Sequence, residues 1–165
     1  MAETASAGKI VSRAELPRIV QDLKSQGKRV VFTNGCFDLI HGGHIHLLRT
    51  SRLQGDCLIA ALNSDDSIRR IKDKGRPILD EGQRGRVVSS FEMVDYVVFF
   101  DEDTPEDLIR EVKPDVLVKG GDYPMEGVVG RQQVWDNGGE VAVVKPQESH
   151  STTQVIQEIL ARFGK

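Results

Sequence analysis

Two cysteines in 165 residues leave no room for a disulfide framework. Cys36 and Cys57 each fall in or beside an apolar strand pattern, where cysteine serves as a small buried hydrophobe. A basic excess is missing as well. The formal net charge of −3 lacks the electrostatic footprint of a nucleic-acid binder. No apolar run approaches the ~20 residues that cross a bilayer. The opening Met1-Ala2-Glu3-Thr4-Ala5-Ser6-Ala7-Gly8 has neither the basic nor the apolar part of a signal peptide. Internal repeats and low-complexity tracts are also absent. These exclusions lead to the expectation of a cytoplasmic globular protein with neither a nucleic-acid nor a membrane partner. Its length suits one core, with residues 1–10 as a flexible leader and 11–165 as the domain.

Strand and helix patterns alternate along the rest of the chain. Ser12-Arg13-Ala14-Glu15 reads as a capping box for a helix running to about Gln26, although Pro17 allows a start near itself. A strand over 29–33 is followed by a helix containing Ile45, Leu47, Leu48 and Leu53. The run Cys57-Leu58-Ile59-Ala60-Ala61-Leu62 has the uninterrupted apolar character of a strand buried on both faces. A short helix at 65–71, a basic loop at 72–77, a helix at 81–91 and a strand at 96–100 come next. Thr104-Pro105-Glu106-Asp107 then predicts a helix with Thr104 as its N-cap. A strand at 116–118, a helix near 128–135, a strand at 141–144 and a helix from Ser151 complete the pattern. Trp135 reads as packing, and Asn137-Gly138-Gly139 as a hairpin-like turn. The expected fold is α/β, a Rossmann-like, doubly wound parallel sheet in a single domain. In such sheets ligands bind beyond the carboxyl ends of the strands, where strand order reverses.

The strand-end loops hold the unusual residues. After Asn34 and Gly35, His41 and His44 stand at a helix start with Gly42 and Gly43 between them. Two imidazoles there lie beside unbonded backbone N–H groups and the positive end of the helix dipole, a setting for phosphate. Zinc is a rival reading, with Cys36, His41, His44 and His46 as ligands. However, His44 and His46 point from different faces of the helix. Ser151, Thr152 and Thr153 offer more hydroxyls at a helix start than capping requires, enough to hold the β- and γ-phosphates of a nucleotide. Lys72, Lys74 and Arg76 form a cationic loop suited to closing over a triphosphate. Lys119, Gly120, Gly121 and Asp122 allow close approach to a base, sugar or phosphate, with a plain turn nearly as good a reading.

On these residues the chain resembles the cytidylyltransferase-like nucleotidyltransferases. Their HxGH signature appears as His41-Gly42-Gly43-His44, and their Ser-Thr-Thr segment as Ser151-Thr152-Thr153. Within them it is most similar to the adenylyltransferases of ADP-heptose synthesis. That likeness runs through Phe32 to Asp38, Leu62-Asn63-Ser64-Asp65, Arg76-Pro77, Asp103-Thr104-Pro105, Leu117 to Tyr123 and Trp135 to Glu140.

The resemblance implies transfer of AMP from ATP to D-glycero-β-D-manno-heptose 1-phosphate, for the inner core of lipopolysaccharide. Mg²⁺ would be held mainly by the ATP phosphates, with no protein metal site. It implies catalytic roles for His41, His44 and Lys72 at the phosphates. Nucleotide contacts are implied for Asn34, Gly35, Cys36, Phe37, Asn63, Arg76, Lys119, Gly120, Ser151, Thr152 and Thr153, and substrate contacts for Asp38 and Asp122. Separate proteins would serve as heptose 7-phosphate kinase and bisphosphate phosphatase, and the family suggests a homodimer. One departure stands out. Related glycerol-phosphate cytidylyltransferases place an arginine five residues before Ser-Thr-Thr, where this chain has Pro146, beside Lys145; His150 is a second unexpected residue. Two other functions stay open: a CTP-dependent transferase acting on another phosphorylated sugar or polyol, and a nucleotide-binding sensor without turnover.

Overall fold

The computed structural model describes residues 8–122, 124–146 and 151–164. At its centre lies the apolar run Cys57–Asn63, every residue of it buried. A strand with no polar face needs a helical layer on each side. This one is β2 of a five-stranded sheet in the order β3-β2-β1-β4-β5. The other strands are β1 (Val30–Gly35), β3 (Tyr96–Phe100), β4 (Val116–Gly120) and β5 (Glu140–Val144). All four pairings are parallel. The helices are α1 (Leu16–Ser25), α2 (Gly42–Arg52), α3 (Asp65–Ile71), α4 (Glu81–Ser89), α5 (Glu106–Val112), α6 (Arg131–Asp136) and α7 (Thr152–Phe163).

Alternating side chains of β1 divide the interior into two layers. Val30 and Phe32 join Leu16 and Val20 of α1, Ile109 of α5 and Val134 of α6 in one core. Val31 joins Leu48 of α2, Leu58 and Val88 of α4 in the other. The chain steps outward from β1 to β3, then crosses back to β4 and β5. That reversal opens a crevice between the carboxyl ends of β1 and β4.

Several boundaries differ from expectation. Glu15 N–H does donate to Ser12 Oγ at 3.3 Å and Ser12 N–H to Glu15 Oε2 at 3.0 Å, but this box closes a turn ahead of α1. The helix starts at Leu16 with Pro17 in its first turn, where a missing N–H costs nothing. The N-cap of α5 is Pro105 with no side-chain cap bond, so Thr104 does not cap it. Gly130, at φ 87, delays α6 to Arg131. Gly138, at φ 76, follows the end of α6, and β5 then runs parallel to β4, so no hairpin forms there. Trp135 is 44% exposed rather than packed. The expected leader also ends early, because Val97 N–H donates to Lys9 O at 2.8 Å and Val11 N–H to Val97 O at 2.9 Å. Residues 1–7, His150 and Tyr123 lie outside the described residues.

Candidate active site

β1 delivers its last residues, Asn34 and Gly35, into the crevice. A Cβ on Gly35 would sit 3.2 Å from the ring of Phe37, a tight contact, so glycine leaves that ring room to fold back over the strand end. Phe37 takes φ 46, which bulky residues rarely adopt. Its ring is buried and lies 5.2 Å from the imidazole of His44. The two histidine rings are 3.9 Å apart, centroid to centroid.

His41 is the N-cap of α2, and its Nδ1 accepts from Gly43 N–H at 3.2 Å. An accepting Nδ1 places the proton of the neutral ring on Nε2. His44 N–H and Ile45 N–H both donate to His41 O, at 2.9 and 3.3 Å. The N–H groups of residues 43–45 are thus engaged inside the turn, contrary to expectation, and the imidazoles become the donors that α2 offers. Burial, reinforced by the neighbouring charges of His41 and Arg76, lowers the His44 imidazole to about 4. It is therefore neutral at pH 7. Its Nδ1 is buried without a partner. A proton on Nδ1 would be a buried orphan donor, so the neutral ring carries it on Nε2.

Asp38, expected at the substrate, is engaged within the protein. Its carboxylate is buried and accepts from Arg76 Nε at 2.6 Å, Leu79 N–H at 3.0 Å and Ile78 N–H at 2.9 Å. Burial by itself would raise this carboxyl, but the Leu79 and Ile78 amides and the Arg76 guanidinium outweigh it and hold it below its ordinary value. Asp38 is spent on clamping the 76–79 loop. Arg76 is tied down with it, while Lys72 and Lys74 on the same loop are exposed.

Two cavities flank this centre. The first, about 200 Å³, is lined by His41, His44, Gly120, Gly121, Lys145 and Pro146 among others. Gly120 packs closely there, since a Cβ would come within 3.1 Å of Leu47 on α2. The second, about 260 Å³, is lined by Asn34, Cys36, Asn63, Lys72, Thr104 and Lys119 among others. Lys119 Nζ donates to Asn34 Oδ1 at 3.0 Å. Burial lowers its ammonium to about 8, with Cys36 opposing and Lys72 adding to the shift. Asn63 is buried and donates to Ser67 Oγ at 2.9 Å. Burial also raises the Cys36 thiol, which disfavours a thiolate ligand. Among the described residues no three His, Cys, Asp or Glu side chains gather as a metal set. Asp122 is exposed just past β4.

α7 closes the site from the other end of the chain. Ser151 Oγ accepts from Gln154 N–H at 3.2 Å and Ser151 N–H donates to Gln154 Oε1 at 2.7 Å, a complete capping box. The buried Thr152 donates its hydroxyl to Leu39 O at 3.3 Å. Leu39 lies two residues before His41, so the starts of α2 and α7 adjoin. Thr153 is exposed. Helix geometry leaves the N–H groups of Thr152 and Thr153 without intrahelical acceptors.

Arg84 escaped the sequence reading. It is wholly buried, with Nε donating to Leu79 O at 3.1 Å, Nη1 to Cys36 O at 2.7 Å and Nη2 to Asp65 Oδ1 at 2.8 Å. A signal existed, because Arg84 sits four residues before the buried Val88, on the same helical face.

Residues 32–158 match the model of the family described as Cytidylyltransferase-like. The chain belongs to that family. This cytidylyltransferase-like chain is also similar to a set of longer proteins. "Bifunctional protein HldE" of Geobacter sulfurreducens is 50% identical over 150 residues, 91% of this chain and 31% of that protein. The protein of the same name from Pelobacter propionicus is 46% identical over 164 residues, 99% of this chain and 34% of that protein. The chain thus spans about one third of the length of the curated relatives it matches. Among solved structures, the lipopolysaccharide core biosynthesis protein from Thermoplasma volcanium superposes with TM-score 0.61 at 29% identity, over 75% of this chain and all of that one. Pantoate-beta-alanine ligase from Francisella tularensis gives TM-score 0.62 at 14% identity, over 85% of this chain and 67% of that one. At that identity it speaks for the Rossmann-like fold alone.

Proposed function

We propose that this cytidylyltransferase-like domain transfers AMP from ATP to D-glycero-β-D-manno-heptose 1-phosphate, giving ADP-heptose and pyrophosphate. The observation that carries this is the adjacency of the two helix starts through the Thr152–Leu39 hydrogen bond. One triphosphate can lie along both, with its α-phosphate at the imidazoles and its distal phosphates at Ser151–Thr153. The adenine and acceptor choices come from the resemblance to the adenylyltransferases of ADP-heptose synthesis, and the name of the Thermoplasma protein, lipopolysaccharide core biosynthesis protein, agrees with them.

In the reaction an oxygen of the sugar phosphate attacks the α-phosphorus of ATP in line. The bond from that phosphorus to the bridging oxygen breaks, and pyrophosphate leaves with its electrons. The attacking phosphate is already ionised near neutral pH, so no protein base is required. His44 Nε2–H and His41 Nε2–H donate to the non-bridging oxygens, where charge grows in the transition state. Lys72 and Lys119 bring positive charge to the second cavity, which suits the sugar phosphate. Among the described residues the carboxylate beside the imidazoles, Asp38, is already bound. That fits Mg²⁺ arriving on ATP, where it would neutralise phosphate charge. In this reading the reaction takes place in the cytoplasm. Among the described residues no helix is long and apolar enough to cross a membrane.

A second reading is favoured by the family's own description: CTP in place of ATP, with another phosphorylated sugar or polyol. Pyrophosphate release separates the two when ATP, CTP, GTP and UTP are each paired with heptose 1-phosphate and with glycerol 3-phosphate. ATP with heptose 1-phosphate is expected to exceed every other pair. A maximum with CTP would replace the first reading by the second, and tight ATP binding without release from any pair would leave a sensor.

A further inference from the structure

Arg84 joins three strand-end loops that the sequence separates widely. Cys36 closes the exit of β1, Asp65 opens α3 after β2, and Leu79 belongs to the loop that carries Lys72 and Arg76. All three donating nitrogens of this guanidinium are bonded, at 2.7 to 3.1 Å. Burying a guanidinium completely is costly unless it is paired and hydrogen-bonded, and this one meets both conditions.

The bond to Cys36 reaches the active site. The carbonyl of Cys36 and the N–H of Phe37 belong to one rigid peptide plane. Whatever holds that oxygen therefore sets the turn into Phe37. Phe37 is the bulky residue held at φ 46, and its ring is the apolar wall 5.2 Å from His44. The next residue, Asp38, is gripped by the 76–79 loop, and Arg84 grips the same loop at Leu79 O. Residues 36–38 are thus held from both ends by one buried assembly.

We infer that Arg84 is a positioning residue for His44: by fixing the Cys36–Phe37 peptide it seats the Phe37 ring against the imidazole and aims that ring at the transferring phosphate. The inference rests on the proposed role of His44 at the α-phosphate. Arg84 touches no reacting group itself. Lysine in its place keeps the charge but loses the planar fork that spans three acceptors.

The test is Arg84→Lys in the whole chain, with the His44 ring titrated by NMR beside steady-state kinetics. His41, Arg76 and Asp38 are the charged or titratable groups that face His44, and all three remain. If the Phe37 wall is lost, His44 becomes hydrated, and its titration moves from about 4 toward its ordinary value of 6.5. The turnover number falls about 10- to 100-fold, as misplacement of a catalytic donor costs, while KM for ATP stays within about threefold. A folded variant with an unmoved His44 titration and wild-type turnover overturns the inference. Should Arg84→Lys fail to fold, Phe37→Leu removes the link downstream. An unmoved His44 titration there overturns it equally. The titration is read without substrate, so it still decides the matter if the wild-type chain releases no pyrophosphate and the proposed reaction itself fails.

Discussion

His44 is a half-buried imidazole next to a second imidazole, and its neutrality follows from that setting. The unfolded chain takes up this proton near pH 6.5, the folded chain only near 4. Between those values the unfolded state binds more protons, so stability falls as pH drops from about 6.5 to about 4 and is unaffected by this group above 6.5. Urea denaturation across that range should show a shallower pH slope for His44→Ala than for wild type; equal slopes would contradict the buried, neutral ring. Lys119 works in the opposite direction of pH. Lowered to about 8 by burial, it loses its charge in mildly alkaline solution. If it grips the sugar phosphate, kcat/KM for that substrate declines above about pH 8, and Lys119→Arg carries the decline to higher pH. An unmoved alkaline limb in Lys119→Arg would remove Lys119 from that role. The histidines were legible in the sequence because glycines and a strand end framed them. The partners of Asp38 and Arg84 were not, because a charged residue in a linear string shows its charge and conceals what it pairs with. Asp38 finds Arg76, Ile78 and Leu79 only when β1 and the loop before α4 are brought together.

At the level of elements, the alternation of apolar strands with helices revealed the three-layer sheet, since β2 has no polar face to mislead. Helix starts were harder. Thr104 had the right residue type for a cap, but the chain entered α5 through Pro105 instead. Ser151 does cap α7, and the same capping box uses its accepting capacity. Thr152 then acts less as a spare hydroxyl than as the tie between α7 and the loop before α2. Thr152→Val keeps the shape and removes this tie, at about 1 kcal/mol of stability. KM for ATP should rise several-fold with the turnover number less affected, measured by pyrophosphate release. An unchanged KM would mean that α7 is placed by something other than this bond.

Across the whole molecule, α7 leaves Ile159, Leu160 and Phe163 exposed at 49%, 62% and 76%. If the homodimer that the family resemblance implies forms, aligned apolar residues of this kind are where its two copies would meet. Leu160→Asp, far along α7 from Ser151, should shift sedimentation from dimer to monomer; a wild-type chain already monomeric at micromolar concentration would refute the dimer. Transfer by this site requires one triphosphate to bridge two helix starts from opposite ends of the sequence. The most direct measurement is a crystal structure with a non-hydrolysable ATP analogue whose α,β-bridge is methylene. The α-phosphate should lie within hydrogen-bond distance of His41 and His44, and the β- and γ-phosphates against Ser151–Thr153. A triphosphate bound at one helix start only, or away from both, would contradict it.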